Sequence, residues 1–221
     1  MTTFHIKVVS DNVCPFCYLG KMRLEKAINL HKKVIPGGSS DIFVIDWSAY
    51  QLDPSLAKTP VPVKVRMEEK FGADKLQAMN RRLSRLGLAD GINFTSEGML
   101  GNTRDSHRLI QLSKSKGNET ENRVVSEVMR SYFEEGGDIT SHKMLAAAAE
   151  KGGLDRSEVE IYLAGSDGGS EVDRECREAV SNGIRGVPNF LINGKYQVDG
   201  AQDVQTFLEA LSQAKGLGVD S

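Results

Sequence analysis

Two apolar runs of strand length bracket one helical pattern at the start of the chain, and this arrangement restricts the fold more than any other feature. Phe4-His5-Ile6-Lys7-Val8-Val9 alternates and ends in an apolar pair, as a strand entering a sheet interior does. Ser10-Asp11-Asn12 is a turn. From Pro15 to about Lys32, the residues Leu19, Met22, Leu24, Ala27, Ile28 and His31 recur near helical spacing, and Pro15 suits a first helical turn. After the loop Pro36-Gly37-Gly38-Ser39-Ser40, Ile42-Phe43-Val44-Ile45-Asp46-Trp47 reads as a second buried strand. Strands joined through a helix favour parallel pairing, because the crossover returns the chain to its starting end.

From about Pro60 to Gly169 the pattern is helical, interrupted by Gly and Asp rather than by strands, and five or six helices are expected. Leu76, Met79, Leu83 and Leu86 form one apolar stripe; Val125, Val128, Met129, Tyr132 and Phe133 form another. Both are expected to pack into a core rather than line a groove. Ser141 is placed to cap one helix, and Asp155 with Glu158 has capping-box spacing for the next. Ser170 opens a further helix with Val172, Cys176, Ala179 and Val180 on one face, and Gly183 ends it. Val187-Pro188-Asn189-Phe190-Leu191-Ile192 and Tyr196-Gln197-Val198 then flank Asn193-Gly194, a hairpin signal because both central residues tolerate positive φ. A last helix from Asp203 carries Val204, Phe207, Leu208 and Leu211. The order β-α-β, helical block, α-β-β-α is that of an α/β thioredoxin-like fold with an inserted α-helical domain. The expected division is 1–59 with 170–215 for the thioredoxin-like part, 60–169 for the insertion and 216–221 for a flexible tail.

With 39% hydrophobic and 26% charged residues in 221, the chain can bury a substantial core without staples. A formal charge of −2 spread over both signs argues against a nucleic acid or an anionic membrane as partner. The N-terminus has no basic region followed by a long apolar run, and no stretch reaches membrane-spanning length. The chain is therefore expected to be mature and cytoplasmic.

Three cysteines are too few for a disulfide framework, and in a reducing compartment a close pair points to catalysis or metal binding. Cys14-Pro15-Phe16-Cys17 lies where a strand hands over to a helix. Disulfide exchange requires a thiolate, and unpaired N–H groups with the positive end of a helix dipole would stabilise one at Cys14. Cys14 is thus expected to be the accessible attacking thiol and Cys17, one turn deeper, the resolving one. Pro15 would support the bend and Phe16 would offer an apolar contact. A zinc half-site shares this spacing but needs two more ligands, and neither a second cysteine pair nor a close histidine pair supplies them; no metal is expected. Two inert buried cysteines are the other alternative. Cys176, on an apolar helix face, reads as a buried, inert thiol; Asp11 as a turn residue; His107 as a hydrogen-bonded core residue. Pro188 cannot donate to a ladder and marks a special backbone. If the Val187-Pro188 bond is cis, the edge of Val187 would lie beside Cys14, open to an extended peptide or to glutathione.

Ser10 to Gly20, Asn102-Thr103 with His107-Arg108-Leu109, and Gly183 to Pro188 with Gly200-Ala201-Gln202 together resemble the FrnE-like branch of the DsbA-like oxidoreductases across nearly the whole chain. The resemblance implies thiol-disulfide exchange with protein thiols or disulfides or with glutathione, and no bound cofactor beyond the redox-active Cys14–Cys17 disulfide. Net direction, isomerase activity and a homodimer stay open. 2-Hydroxychromene-2-carboxylate isomerases and kappa-class glutathione transferases share the architecture but carry serine where Cys14 stands, so a glutathione-dependent transferase or isomerase is the alternative function. Their glutathione contacts map to Val187 and to Ala201-Gln202-Asp203. A second C-terminal cysteine pair, found in some FrnE-like proteins, is missing here.

Overall fold

The computed structural model describes residues 1–217. Strand β1 (Thr3–Ser10) alternates as the sequence requires, so Phe4, Ile6 and Val8 are buried on one face. Helix α1 (Pro15–Val34) carries the chain back to β2 (Ile42–Ala49), which pairs with β1 in parallel, Phe4 opposite Phe43 and Val8 opposite Trp47. Far along the chain, β5 (Asn189–Ile192) pairs antiparallel with β1 and, through Asn193 and Gly194 at φ 51° and 66°, with β6 (Tyr196–Asp199). The sheet order is β2-β1-β5-β6. Helix α9 (Val204–Ala214), capped by Asp203 accepting from the Thr206 N–H, packs beside α1; Phe207 stands edge-on to Phe190 at 4.8 Å. This is a thioredoxin-like α/β fold with an inserted helical subdomain. Of the expected tail, Gly216 and Leu217 still bond back to Gln213 and Ser212, and 218–221 lie outside the described residues.

The inserted part holds α2 (Val63–Phe71), α3 (Ala73–Asp90), α4 (Arg104–Lys114), α5 (Asn118–Phe133), α6 (His142–Lys151) and α7 (Arg156–Ala164), followed by α8 (Gly169–Ser181). It also holds a ribbon missed in the sequence: β3 (Val61–Pro62) pairs antiparallel with β4 (Met99–Leu100). Strands of two residues carry no periodicity. The α5 stripe is core as expected, with Val125, Val128 and Met129 buried. The α3 stripe is not: Leu76 is covered, but Met79 is 41% exposed and Leu83 and Leu86 only half-buried. An amphipathic period marks an apolar face without saying that anything covers it. Val180 likewise turns outward, 64% exposed, while Val172 and Ala179 are buried. Ser141 caps α6; Asp155 accepts from the Glu158 N–H, but the Glu158 carboxylate pairs with Lys116, leaving half a capping box.

One set of polar side chains fixes the helices to the sheet, and another ties helices of the insertion to each other. β2 is an edge strand, and its outward N–H groups are met by side chains: Trp47 donates to Glu121 Oε1 at 2.8 Å and Ala49 to Glu175 Oε2 at 2.7 Å. Asn118 and Asn122 add bonds to the Ile45 carbonyl. Buried Arg108 donates to the carbonyls of Tyr162, Leu163, Gly165 and Asp167, satisfying the orphan acceptors at the end of α7.

Candidate active site

Cys14 is the N-cap of α1, with extended φ and ψ of −88° and 111°, and Pro15 follows at the first helical position. The Asp11 carbonyl accepts the Cys14 N–H at 3.0 Å, closing the turn that delivers the strand into the helix. Because one helical turn separates the cysteines, the Cys17 thiol donates toward the Cys14 sulfur, and this bond, with the N–H groups of Cys17 and Phe16, lowers the Cys14 pKa. Burial and the Asp11 carboxylate oppose the shift without reversing it. Cys17, fully buried, is pushed well above an ordinary thiol, chiefly by burial. Both cysteines are free thiols. Contrary to the sequence expectation, Cys14 is not an open thiol: it is 5% exposed, because it sits in the crotch between the Asp11 turn and the Val187 backbone.

The Val187–Pro188 bond is cis, and the Cys14 thiol points at the Val187 carbonyl oxygen at 3.6 Å. Val187 lies outside the β5 ladder, so beside the sulfur its backbone is paired with no neighbouring strand. Gly20 explains one end of the cysteine motif: a Cβ there would meet Phe190 Cζ at 2.9 Å and Pro188 Cγ at 3.0 Å. Its missing side chain lets α1 approach the proline. Pro15 is half-buried and Phe16 is 44% exposed at the rim. Gln202 makes no hydrogen bond to either sulfur among the described residues: its side-chain amide donates to the Asp199 carbonyl at 2.7 Å, and its backbone carbonyl accepts from Arg23.

Sequence reasoning separated Asp11 from His107, but the fold buries them together, His107 Nε2 lying 3.4 Å from Asp11 Oδ1 and 3.0 Å from the Tyr50 carbonyl. Asp11 Oδ2 accepts the Leu52 N–H, whereas Oδ1 and the neighbouring Ser10 hydroxyl have no hydrogen-bond partner among the described residues. Ninety-odd residues apart, they left no local signal. Cys176 is half-buried, and its thiol is pushed up to about 11 by burial and by the Asp11, Glu175 and Asp173 carboxylates. Among the described residues, no three or more His, Cys, Asp or Glu side chains gather as metal ligands, and no helix is long and apolar enough to cross a membrane.

Two hollows flank the site, one at the cysteine motif and one behind the cis proline. One, of about 310 Å³, runs from Val13, Pro15 and Phe16 along the apolar stripe of α3. The other, of about 820 Å³, lies past Val187 and Pro188 and is walled by Asn182, Arg185, Gln197 and Asp199.

Comparison with known proteins agrees with this geometry. The model of the DSBA-like thioredoxin domain matches residues 5–212. The crystal structure of a probable DsbA oxidoreductase from Streptomyces coelicolor is 31% identical, covers 96% of this chain and 90% of its own, and superposes with a TM-score of 0.83. The Bacillus subtilis protein YwbO is 29% identical over 95% of this chain and 96% of its own. A 2-hydroxychromene-2-carboxylate isomerase, at 20% identity and a TM-score of 0.66 over 96% of this chain and 94% of its own, shares the fold.

Proposed function

Because the chain belongs to the DSBA-like thioredoxin domain family and is a DsbA-like oxidoreductase, we propose that it exchanges disulfides with protein thiols through Cys14-Pro15-Phe16-Cys17. The observation that carries this reading is the asymmetry of the pair. Cys14 is stabilised as a thiolate at a helix N-cap, and Cys17 is held protonated beneath it. The Cys14 thiolate attacks one sulfur of a partner disulfide, forming a mixed disulfide and releasing the other partner sulfur as a thiolate. Cys17 then loses its proton and attacks the Cys14 sulfur, forming Cys14–Cys17 and releasing the second partner thiolate; two electrons pass from the dithiol to the partner. The reverse sequence oxidises a partner dithiol. An extended partner chain would align along the backbone edge of Val187, with Pro188 fixing that edge and Phe16 and Pro15 meeting the residue beside the partner cysteine.

Finer readings belong to the same proposal: membership of the FrnE-like branch, a cytoplasmic setting, isomerase activity, the 1–59, 60–169, 170–215 division, and glutathione as small-molecule co-substrate. Transferase or isomerase chemistry of the glutathione-dependent kind is less well supported, since Cys14 stands at the serine position of those relatives and the Gln202 amide is engaged with Asp199. Reduction of insulin and refolding of scrambled ribonuclease test the proposal. Wild type should be active in at least one assay, Cys14→Ser inactive in both, and Cys17→Ser should accumulate mixed disulfides. Activity retained in Cys14→Ser would refute it.

A further inference from the structure

The groove beside the cysteine motif has an unusual rim. Its floor is apolar: Val13 and Phe16 from the redox end, Val63 and Met67 from α2, and Met79 and Leu83 from α3. The two helices that form its outer wall bury almost nothing; α2 has no buried residue and α3 only Leu76, Gly87 and Asp90. Residues 58–86 nevertheless hold eight basic side chains against three acidic ones, in a chain whose formal net charge is −2. The sequence reading, a formal charge of −2 spread over both signs, did not single out this basic stretch. Among the described residues, only Arg66 of the eight has an ion-pair partner, Glu69 at 3.9 Å; Lys58, Lys64, Lys70, Lys75, Arg81, Arg82 and Arg85 have none. Arg82 lines the groove itself. Lys75 shares its side of α3 at a seven-residue spacing, with Met79 between them, and Lys70 and Lys75 both lie 5.4 Å from the Phe71 ring centroid at the turn between the helices.

An apolar floor that begins at the cysteine motif, under a rim of unpaired cations, fits one chemistry. We propose that the groove selects acidic, amphipathic protein segments, in which an apolar side chain next to the reacting cysteine enters the hollow while flanking carboxylates meet Arg82 and Lys75. This rests on the disulfide-exchange reading and names its substrate class. The volume of about 310 Å³ suits one or two large side chains rather than a folded domain, so the selected element is an exposed strand or loop. Unpaired rim charges act mainly on encounter, raising association with a complementary partner and losing effect as salt rises.

The test uses two synthetic peptides, each disulfide-linked through its cysteine to 2-thiopyridine, with phenylalanine beside the cysteine and either glutamates or lysines beyond it. Thiopyridine release by an excess of the reduced full-length protein, a single turnover that leaves Cys14–Cys17 oxidised, gives the second-order rate constant kcat/KM. At ionic strength near 20 mM the glutamate peptide should exceed the lysine peptide by about tenfold, and the ratio should fall toward one near 300 mM. In Lys75→Glu/Arg82→Glu the ratio should fall to one or below. In Leu83→Gln, replacing phenylalanine by serine in the peptide should cost less than in wild type. Equal kcat/KM for both peptides at low salt overturns the proposal. So does a dimer in light scattering that Met79→Asp dissociates, which assigns the groove to a second copy. Inhibition by decanoate but not by the acidic peptide assigns it to a small apolar anion, and displacement of the acidic peptide by an oligonucleotide of equal charge assigns the rim to nucleic acid; each also overturns it. Wild type reacting with the small neutral 2-hydroxyethyl disulfide separates these failures from failure of exchange itself.

Discussion

Glu121 carries a charge that the fold resists. Only 2% exposed, it accepts the Trp47 N–H at the edge of β2, and burial raises its pKa from 4.5 to about 7, against the opposing pull of the Trp47 N–H and Lys114. The folded state therefore holds a proton that the unfolded chain has released, and between the two pKa values stability falls as pH rises. A difference of this size, at 1.36 kcal/mol per unit, corresponds to an upper bound of about 3 kcal/mol lost between pH 4.5 and 7. Glu121→Gln keeps an oxygen for Trp47 but removes the charge. Urea unfolding of both proteins at several pH values between 5 and 8 isolates the effect, because other titrating groups cancel in the difference. The variant should gain stability over wild type with rising pH, by about 1–3 kcal/mol at pH 8 relative to pH 5. A stability difference independent of pH would refute the argument that burial of this carboxylate controls the edge.

Alkylation of Cys14 should show a midpoint below 9, and Cys17→Ala should raise it more than Cys17→Ser, since the first cause of the lowered pKa is a donor on residue 17; an unchanged midpoint in Cys17→Ala would dismiss that donor. Gly20→Ala should destabilise the fold by about 1–3 kcal/mol, through Phe190 and Pro188, despite the helix preference of alanine, and slow exchange; calorimetry with insulin reduction checks both. Arg108→Lys should destabilise by about 2–4 kcal/mol in chemical unfolding, because a single ammonium cannot reach all four carbonyls at the end of α7.

The frame of the molecule was legible because its signals are local. The alternation of β1, the period of α1, the Asn193-Gly194 turn and the cysteines at the strand-helix junction each arise from neighbours within a few residues. What escaped depends on contacts between distant segments. The α3 stripe is apolar whether or not something covers it, and the sealing of β2 by Glu121 and Glu175 joins positions 74 and 126 residues apart. The exposure of Cys14 was misjudged for the same reason: its helix end was visible in the sequence, but the Val187 backbone that covers it comes from 173 residues away.

Cys176 tests whether exposure or ionisation governs reactivity in this protein. It is more exposed than Cys14, on the wall of a hollow with Tyr50, Leu52 and Pro54, so access alone would make it the more reactive thiol. Its pKa, pushed up to about 11 by burial and by three carboxylates, argues the reverse. Two units above an ordinary thiol at 9 reduce the thiolate fraction at neutral pH about a hundredfold, while the greater basicity of the sulfur restores about tenfold in nucleophilicity. The net expectation is alkylation about tenfold slower than a free thiol at pH 7, with a rate still climbing above pH 10. In a Cys14→Ser/Cys17→Ser protein, iodoacetamide consumption followed by mass spectrometry reads Cys176 alone. Exchange activity of Cys176→Ala should stay within about twofold of wild type, because a thiol so weakly ionised contributes little attack on a disulfide. Reaction of Cys176 at the rate of a free thiol at pH 7, or loss of turnover in Cys176→Ala comparable to that of Cys14→Ser, would show that the carboxylates around it do not suppress the thiolate and that a third sulfur takes part in exchange.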